Sequence, residues 1–108
     1  MKITSFKQLI VWQRAMELTK QLPDTERYGL VSQMQRCAVS IPSNIAEGRQ
    51  RSTRKDFAQF LRIADGSAAE LETQLLLAER LYHLRSTERA HALLTEVQKM
   101  LGSILLKL

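Results

Sequence analysis

Apolar residues recur along the chain at the three- and four-residue spacing of α-helices, in four segments separated by short links. The first segment runs from about Phe6 to Leu22. Ser5 and Gln8 have the spacing of a capping box, and Pro23 is expected to end the helix. One apolar face consists of Phe6, Leu9, Ile10, Gln13 and Met16. A second face beside it consists of Val11, Trp12, Ala15, Leu18 and Leu22.

The second segment contains a proline where a helix would otherwise continue. It runs from roughly Glu26 or Leu30 to Glu47, and we expect Gly48 to act as its helix stop. Its apolar stripe is Leu30, Met34, Cys37, Ala38, Ile41 and Ile45. Pro42 cannot donate to the Ala38 carbonyl and its ring clashes with that group, so we expect a kink there.

The third and fourth segments have the longest uninterrupted stripes. The third runs from about Thr53 to Leu84, with Ser52 or Thr53 as its cap. Its stripe is Phe57, Phe60, Leu61, Ala64, Ser67, Ala68, Leu71, Leu75, Ala78 and Tyr82. The fourth runs from about Thr87 to Leu106. Its stripe is Ala90, Leu93, Leu94, Val97, Met100, Leu101, Ile104, Leu105 and Leu108.

Four helical segments joined by short links predict an all-α fold, an antiparallel up-down-up-down four-helix bundle with its second helix kinked at Pro42. The length of 108 residues predicts a single domain, 1–108. Segments one and three also carry apolar residues beside their main stripes, namely Val11, Trp12, Leu18, Ile63, Leu76 and Leu77. These residues either broaden the core or form a subunit interface. The small core that 108 residues allow favours self-association.

The amino-acid composition indicates the cellular location and the class of binding partner. The single cysteine, Cys37, excludes an intrachain disulfide and fits a cytoplasmic location. The first residues lack the apolar core of a signal peptide, and no run approaches the ~20 apolar residues of a membrane span. Sixteen lysines and arginines against eleven acidic residues give a net charge of +5, which favours acidic partners such as nucleic acid.

A longer pattern in segment two resembles one family closely. The resemblance rests on Tyr28-Gly29-Leu30, Gln33, Arg36 and the run from Ser40 to Gly48, and extends to Phe6, Leu9, Val11-Trp12-Gln13, Phe57, Phe60-Leu61, Ile63-Ala64, Gly66-Ser67, Glu70-Leu71-Glu72 and Gln74. The chain is similar to the small four-helix-bundle proteins encoded in intervening sequences of bacterial large-subunit ribosomal RNA genes. That resemblance implies a four-helix bundle and a pentameric ring. The family is similar in turn to the accessory variability proteins of diversity-generating retroelements, basic pentamers that bind nucleic acid and a reverse transcriptase.

Residues that could perform catalysis are few, and their surroundings favour structural roles. Cys37 lies on the apolar stripe of segment two, as a buried thiol does. Glu88 and His91 have the Glu-x-x-His spacing of di-iron bundles, and Glu79 and His83 stand one turn apart. A di-iron site needs two such motifs and two further inward glutamates, whereas this chain has one motif. We therefore expect no enzyme activity, no metal and no cofactor.

A polar group inside the segment-two motif, Ser40, Asn44 and Glu47, has a structural and a functional interpretation. Ser40 and Asn44 would close the hydrogen-bonding gap that Pro42 leaves. Alternatively, the three residues form a polar site facing a partner or a ring lumen. Arg36 and Glu70 either pair between segments two and three or remain two solvated charges.

The basic link between segments two and three is the strongest functional feature. Its cations, together with Arg62 two turns further on, are Arg49, Arg51, Arg54 and Lys55. Ser52 and Thr53 add hydrogen-bond donors, and the start of the third helix adds free amides, as phosphate binding requires. The alternative is a solvated loop that aids solubility. No aromatic residue is interleaved with the cations of the link itself, so base stacking by this patch is unsupported.

Together these features predict a non-enzymatic basic scaffold that forms a homo-oligomer, a pentamer by the resemblance, and binds RNA or DNA. A reverse transcriptase is a candidate partner through the resemblance alone, and no membrane partner is expected. The alternative is a structural or regulatory protein–protein adaptor with no nucleic-acid role.

Overall fold

Four α-helices account for most of the described chain. The computed structural model describes residues 5–22 and 29–108, and Pro23 and Tyr28 lie outside these ranges. The helices are α1 (Ile10–Lys20), α2 (Leu30–Arg49), α3 (Arg54–Tyr82) and α4 (Glu88–Lys107). The described residues include no strand. The all-α class with four helices is therefore confirmed.

The first segment is divided into a short turn and a helix. Phe6–Gln8 form a 3-10 helix, and Leu9 then takes an extended conformation before α1 begins. The predicted capping box is present on the 3-10 helix: the Lys7 amide donates to Ser5 Oγ at 3.2 Å, and the Ser5 amide donates to Gln8 Oε1 at 3.3 Å. The capping signal therefore marks a real start, but of a turn that is separate from α1.

The second apolar face of α1, rather than the first, supplies the core. Its buried residues are Val11, Ala15, Leu18 and, just after the helix, Leu22. Ile10 and Met16 of the first face are exposed. Because Val11 and Leu18 are buried among the other helices, they broaden the core and are not available for a subunit interface.

The helices pack in a closed cycle in which each contacts two others. α2 contacts α1 and α3, α4 contacts α3 and α1, and the contact between α2 and α3 is the most extensive. The core lies between them and includes Met34, Ile41, Ile45, Leu61, Leu71, Leu75, Leu93, Leu94, Val97 and Leu101. These residues belong to the stripes predicted for segments two, three and four. The molecule measures 43 × 22 × 21 Å, and the 29-residue α3 is its longest element.

The end of α2 packs closely against the start of α3 at Gly48. The helix continues to Arg49, and Gly48 is buried within it. A Cβ atom added to Gly48 would lie 2.6 Å from the Phe60 Cβ and 3.2 Å from Phe57 Cδ1. The expected role of Gly48 as a helix stop is therefore wrong. The structure gives a different reason for a glycine at position 48: its lack of a side chain lets α2 and α3 approach this closely.

Pro42 lies inside α2 and is buried there. The left-handed conformation at Gly29, with a φ of 76°, comes immediately before the first residue of this helix. None of the described helices combines the length and the apolar content needed to cross a membrane.

Replacement of Gly48 by alanine should lower the free energy of unfolding, by about 1–3 kcal/mol, because the new methyl group overlaps Phe60. The matched control is Gly102→Ala in α4, where an added Cβ meets nothing within 4 Å. That change should stabilise the protein by about 0.5–1 kcal/mol, since glycine is a poor helix residue. Urea unfolding of both variants measures the difference, and equal stability of the two would contradict this account of Gly48.

Candidate nucleic-acid interface

The basic link is a short, well-connected turn between α2 and α3. At the end of α2, the Gln50 amide donates to the Ala46 carbonyl at 3.3 Å and the Arg51 amide to the Gly48 carbonyl at 3.1 Å. Thr53 then caps α3, its hydroxyl accepting from the Asp56 amide at 3.1 Å. Of the two candidate caps, Ser52 and Thr53, it is therefore Thr53 that caps the helix. These bonds fix the backbone on both sides of Ser52, and with it the positions from which the neighbouring arginines extend.

Three of the five predicted binding residues share one concavity. A depression of about 220 Å³ is lined by Ser52, Thr53, Phe57 and the side chains of Arg49, Arg51 and Arg54. Lys55 and Arg62 do not line it. They are exposed on α3, seven residues apart, and so lie on the same side of that helix. The structure therefore divides the predicted site into a concavity and an adjoining basic edge.

Arg51 has two partners within the protein that the sequence pattern does not predict. Its Nη2 lies 3.0 Å from Glu47 Oε2, and its guanidinium lies 4.8 Å from the centre of the Phe60 ring. Both members of the ion pair are well exposed, so the pair contributes little to stability. It does reduce the positive charge that Arg51 offers to a ligand.

Arg54 and Lys55 occupy a different electrostatic position. Both are exposed in the first turn of α3, and neither forms an ion pair with any residue of the described chain. The amino end of a helix carries partial positive charge, which disfavours cations there. Asp56 is the one acidic residue in that turn. An anion bound at this place would relieve the repulsion.

An aromatic ring also borders the link. Phe57 is half-buried and lines the concavity beside Thr53. In the sequence no aromatic residue lies among the four cations of the link, because Phe57 follows them in the chain. One turn of α3 brings it back towards the link.

The segment-two polar group is split between two surroundings. The Asn44 amide donates to the Ser40 carbonyl at 2.8 Å and to Ser40 Oγ at 3.1 Å. The sequence predicts that Ser40 and Asn44 close the hydrogen-bonding gap that Pro42 leaves at the Ala38 carbonyl, but the Asn44 amide bonds Ser40 instead. Ser40 Oγ in turn lies 2.8 Å from Ser67 Oγ on α3. Glu47 points elsewhere and pairs with Arg51.

The Cys37 thiol is held in the same contact between α2 and α3. It donates to the Ser67 carbonyl at 3.0 Å. Burial, together with the nearby Glu70 carboxylate, raises the pKa of Cys37 to about 11. The thiol is therefore protonated at neutral pH, as the prediction of a buried structural cysteine requires. Arg36 and Glu70 both border this region, but no ion pair joins them in the described structure.

A second polar cluster joins the end of α3 to the start of α4. His91 Nε2 lies 2.6 Å from Glu79 Oε2, and the Thr87 hydroxyl donates to the same oxygen at 2.9 Å. The hydrogen bond from His91 lowers the pKa of Glu79 below its ordinary value of 4.5. The sequence spacing pairs Glu88 with His91 and Glu79 with His83, whereas in the structure His91 pairs with Glu79. His83 instead caps α3 in the left-handed conformation, with a φ of 57°.

The surroundings of these side chains also bear on metal binding. In residues 5–22 and 29–108, no three histidine, cysteine, aspartate or glutamate side chains lie together in a way that could hold a metal ion. The pairing of Glu79 with His91 joins α3 to α4.

Comparison with known proteins gives a family match over most of the chain. The model of a family described as 23S rRNA-intervening sequence protein matches residues 7–103. The matched region includes all four helices except the last residues of α4. A comparison with curated proteins finds no match.

The Glu79–His91 link should make stability depend on pH in a defined direction. A carboxyl group whose folded-state pKa lies below 4.5 stabilises the fold fully above that pH and loses its contribution as the pH falls through the lowered value. Glu79→Gln should therefore lower the melting temperature at pH 6, and the gap from the wild type should close in more acidic solution. Asp65→Asn, an exposed change elsewhere on α3, is the control. A gap that stayed constant across this range would contradict the assignment.

Proposed function

Because this chain belongs to the 23S rRNA-intervening sequence protein family, we propose that it is a non-enzymatic basic scaffold. The binding surface for RNA is the link between α2 and α3 together with the exposed edge of α3. Its residues are Arg49, Arg51, Arg54, Lys55 and Arg62.

The position of Arg54 and Lys55 is the observation that carries the proposal. Two exposed cations without an ion-pair partner in the described chain stand in the first turn of a long helix, where the helix dipole opposes them. A phosphate bound at this point would interact with both cations and with the free amides of the turn. Arg49 and Thr53 border the adjoining concavity and could contact a neighbouring phosphate.

The choice of RNA over DNA rests on the family name, which connects the family with an intervening sequence of 23S rRNA. Phosphate contacts alone would serve both nucleic acids, because they carry no base information. DNA is therefore a second ligand to be compared in the same assay. A net charge of +5 on each chain supports attraction to either.

The scaffold would act as a homo-oligomer, and we take a pentamer as the specific form. Apolar side chains outside the core support self-association: Ile63 is 47%, Leu76 52% and Leu77 43% exposed on α3. Five chains at +5 each would carry a charge of +25 and repeat the basic link five times. Such repetition strengthens binding to a long anionic chain without any new kind of contact.

Within each subunit we propose an antiparallel up-down-up-down bundle with α2 bent at Pro42. Two contacts support opposite directions for α2 and α3: Cys37 meets Ser67, whereas Gly48, later in α2, would meet Phe60, earlier in α3. The bend is expected because Pro42 lacks the amide that would bond the Ala38 carbonyl.

Two further points concern protein partners and chemistry. The resemblance to retroelement accessory proteins makes a reverse transcriptase a candidate partner, which co-purification with such an enzyme would test. The alternative function is a protein–protein adaptor whose charge serves solubility alone. The absence of catalysis is supported by the raised pKa of Cys37, which keeps the described chain's one thiol protonated.

RNA affinity should fall as salt rises, with log affinity declining by about 0.7 per log unit of salt for each phosphate contacted in a single strand. The triple variant Arg54→Gln, Lys55→Gln and Arg62→Gln should bind more weakly. Its slope should be shallower by about 0.7 for each phosphate that no longer meets a cation. Arg51→Gln alone should have a smaller effect than Arg54→Gln, because Glu47 already pairs with Arg51. Gel-shift or fluorescence-anisotropy titrations at several salt concentrations measure both quantities.

A charge-matched control separates a site from general attraction. Lys20→Gln, Arg85→Gln and Lys99→Gln also remove three positive charges, so both triple variants fall from +5 to +2 per chain. All three control residues are exposed, and none lines the concavity or belongs to the proposed basic edge. An equal fall in affinity in the two triple variants would show that RNA binding depends on net charge and that the link is not a specific site. No RNA binding by the wild type, even at low salt, would favour the adaptor.

Light scattering should give the wild type a mass several times 12.4 kDa, and five times that value for the pentamer. Leu76→Glu with Leu77→Glu should lower the mass towards that of one chain, because charged side chains would be buried in the contact. Gln59→Glu with Thr95→Glu introduces the same charge at exposed polar positions and should leave the mass unchanged. A monomeric wild type at micromolar concentration would refute the assembly.

A further inference from the structure

A polar cleft between α2 and α3 is not used by the proposed RNA surface. It has a volume of about 310 Å³ and is open to solvent in the single chain. Arg36 and Gln33 line it from α2, and Glu70 and Gln74 line it from α3. The fold thus brings two charged and two amide side chains, from positions far apart in the chain, to one place.

Gln74 has a buried side-chain oxygen that accepts no hydrogen bond from the described residues. Its side chain is only 8% exposed, and its Oε1 has no hydrogen-bond partner in the described structure. Buried amide oxygens are almost always paired, because burial without a partner is costly. An N–H group of a bound molecule would supply the missing donor.

Arg36 and Glu70 provide opposite charges in the same cleft. Neither forms an ion pair with any described residue, although both line the one cavity. Neither charge is neutralised within the described chain, although the Glu70 carboxylate lies close to the Cys37 thiol. A phosphate would be repelled by Glu70, and a simple cation would be repelled by Arg36.

The polar groups beneath these charges already have partners. Ser40 and Ser67 share a hydrogen bond of 2.8 Å between their hydroxyls, and the Cys37 thiol donates to the Ser67 carbonyl at 3.0 Å. These bonds join α2 to α3 and leave the amides and charges along the cleft for a ligand. The lining contains no aromatic side chain, so no described residue there would stack against a nucleobase.

We propose that this cleft binds a small zwitterion that carries both an ammonium and a carboxylate group, the simplest being a free α-amino acid. The carboxylate pairs with Arg36, whose guanidinium can donate two parallel hydrogen bonds. The ammonium group donates to the Glu70 carboxylate and to Oε1 of Gln74. This binding is independent of RNA binding at the link.

The test is a calorimetric titration of the wild-type protein with free L-amino acids. Each ligand is compared with its N-acetyl form, which lacks the ammonium group, and its carboxamide, which lacks the carboxylate. A free amino acid should bind at least about tenfold more tightly than either blocked form, since each blocked form lacks one charge-assisted hydrogen bond. If no free amino acid binds at millimolar concentration, or if the blocked forms bind equally well, the proposal is overturned.

Two conservative variants locate the binding. Arg36→Gln and Glu70→Gln should each weaken binding by about tenfold. Arg89→Gln and Asp65→Asn remove the same charges at exposed positions outside the cleft and should bind as the wild type does. Equal affinity in the cleft variants and their controls would overturn the assignment. A urea unfolding curve for each variant checks its folding, and RNA titration tests the link separately, so either idea can fail without the other.

Discussion

The close contact between α2 and α3 is the constraint on which the candidate sites depend. Gly48 allows the end of one helix to approach the start of the other, and Ser40 and Cys37 join the helices further along through Ser67. The basic link is short because the helices are already close where it connects them. The polar cleft lies along the same contact. A change in the spacing of this pair would therefore alter both surfaces.

The charged side chains of α2 and α3 are only partly joined in ion pairs. Glu47 pairs with Arg51, whereas Arg54 and Lys55 stand at the start of α3, opposed by its dipole. Arg36 and Glu70 share a cleft without pairing. The exposed pair of Glu47 and Arg51 contributes little to stability, and the charges without an ion-pair partner contribute none through pairing. Unpaired charges whose positions are fixed by rigid helices are better suited to binding than to holding the fold together.

The sequence predicts which residues are buried wherever a helix has a single apolar face. For the candidate site, it predicts which residues are charged but not which residues they contact. Leu71 lies in the core as expected, whereas in α1 two neighbouring faces are apolar, and packing alone decides that Val11 is buried and Ile10 exposed. The cations can be counted along the chain. The role of Gly48, by contrast, depends on Phe60, twelve residues later on another helix. Such features follow from tertiary register, which spacing within one helix does not fix.

The length of α3 sets how bound molecules could be arranged. Its 29 residues extend over about 43 Å at the usual rise per residue, close to the longest dimension of the molecule. A ligand at Arg54 and a second subunit held at Leu76 and Leu77 would thus contact opposite halves of one stiff rod. They could occupy the same subunit together without competing for space. The helix would act as a spacer that keeps the two at a constant separation.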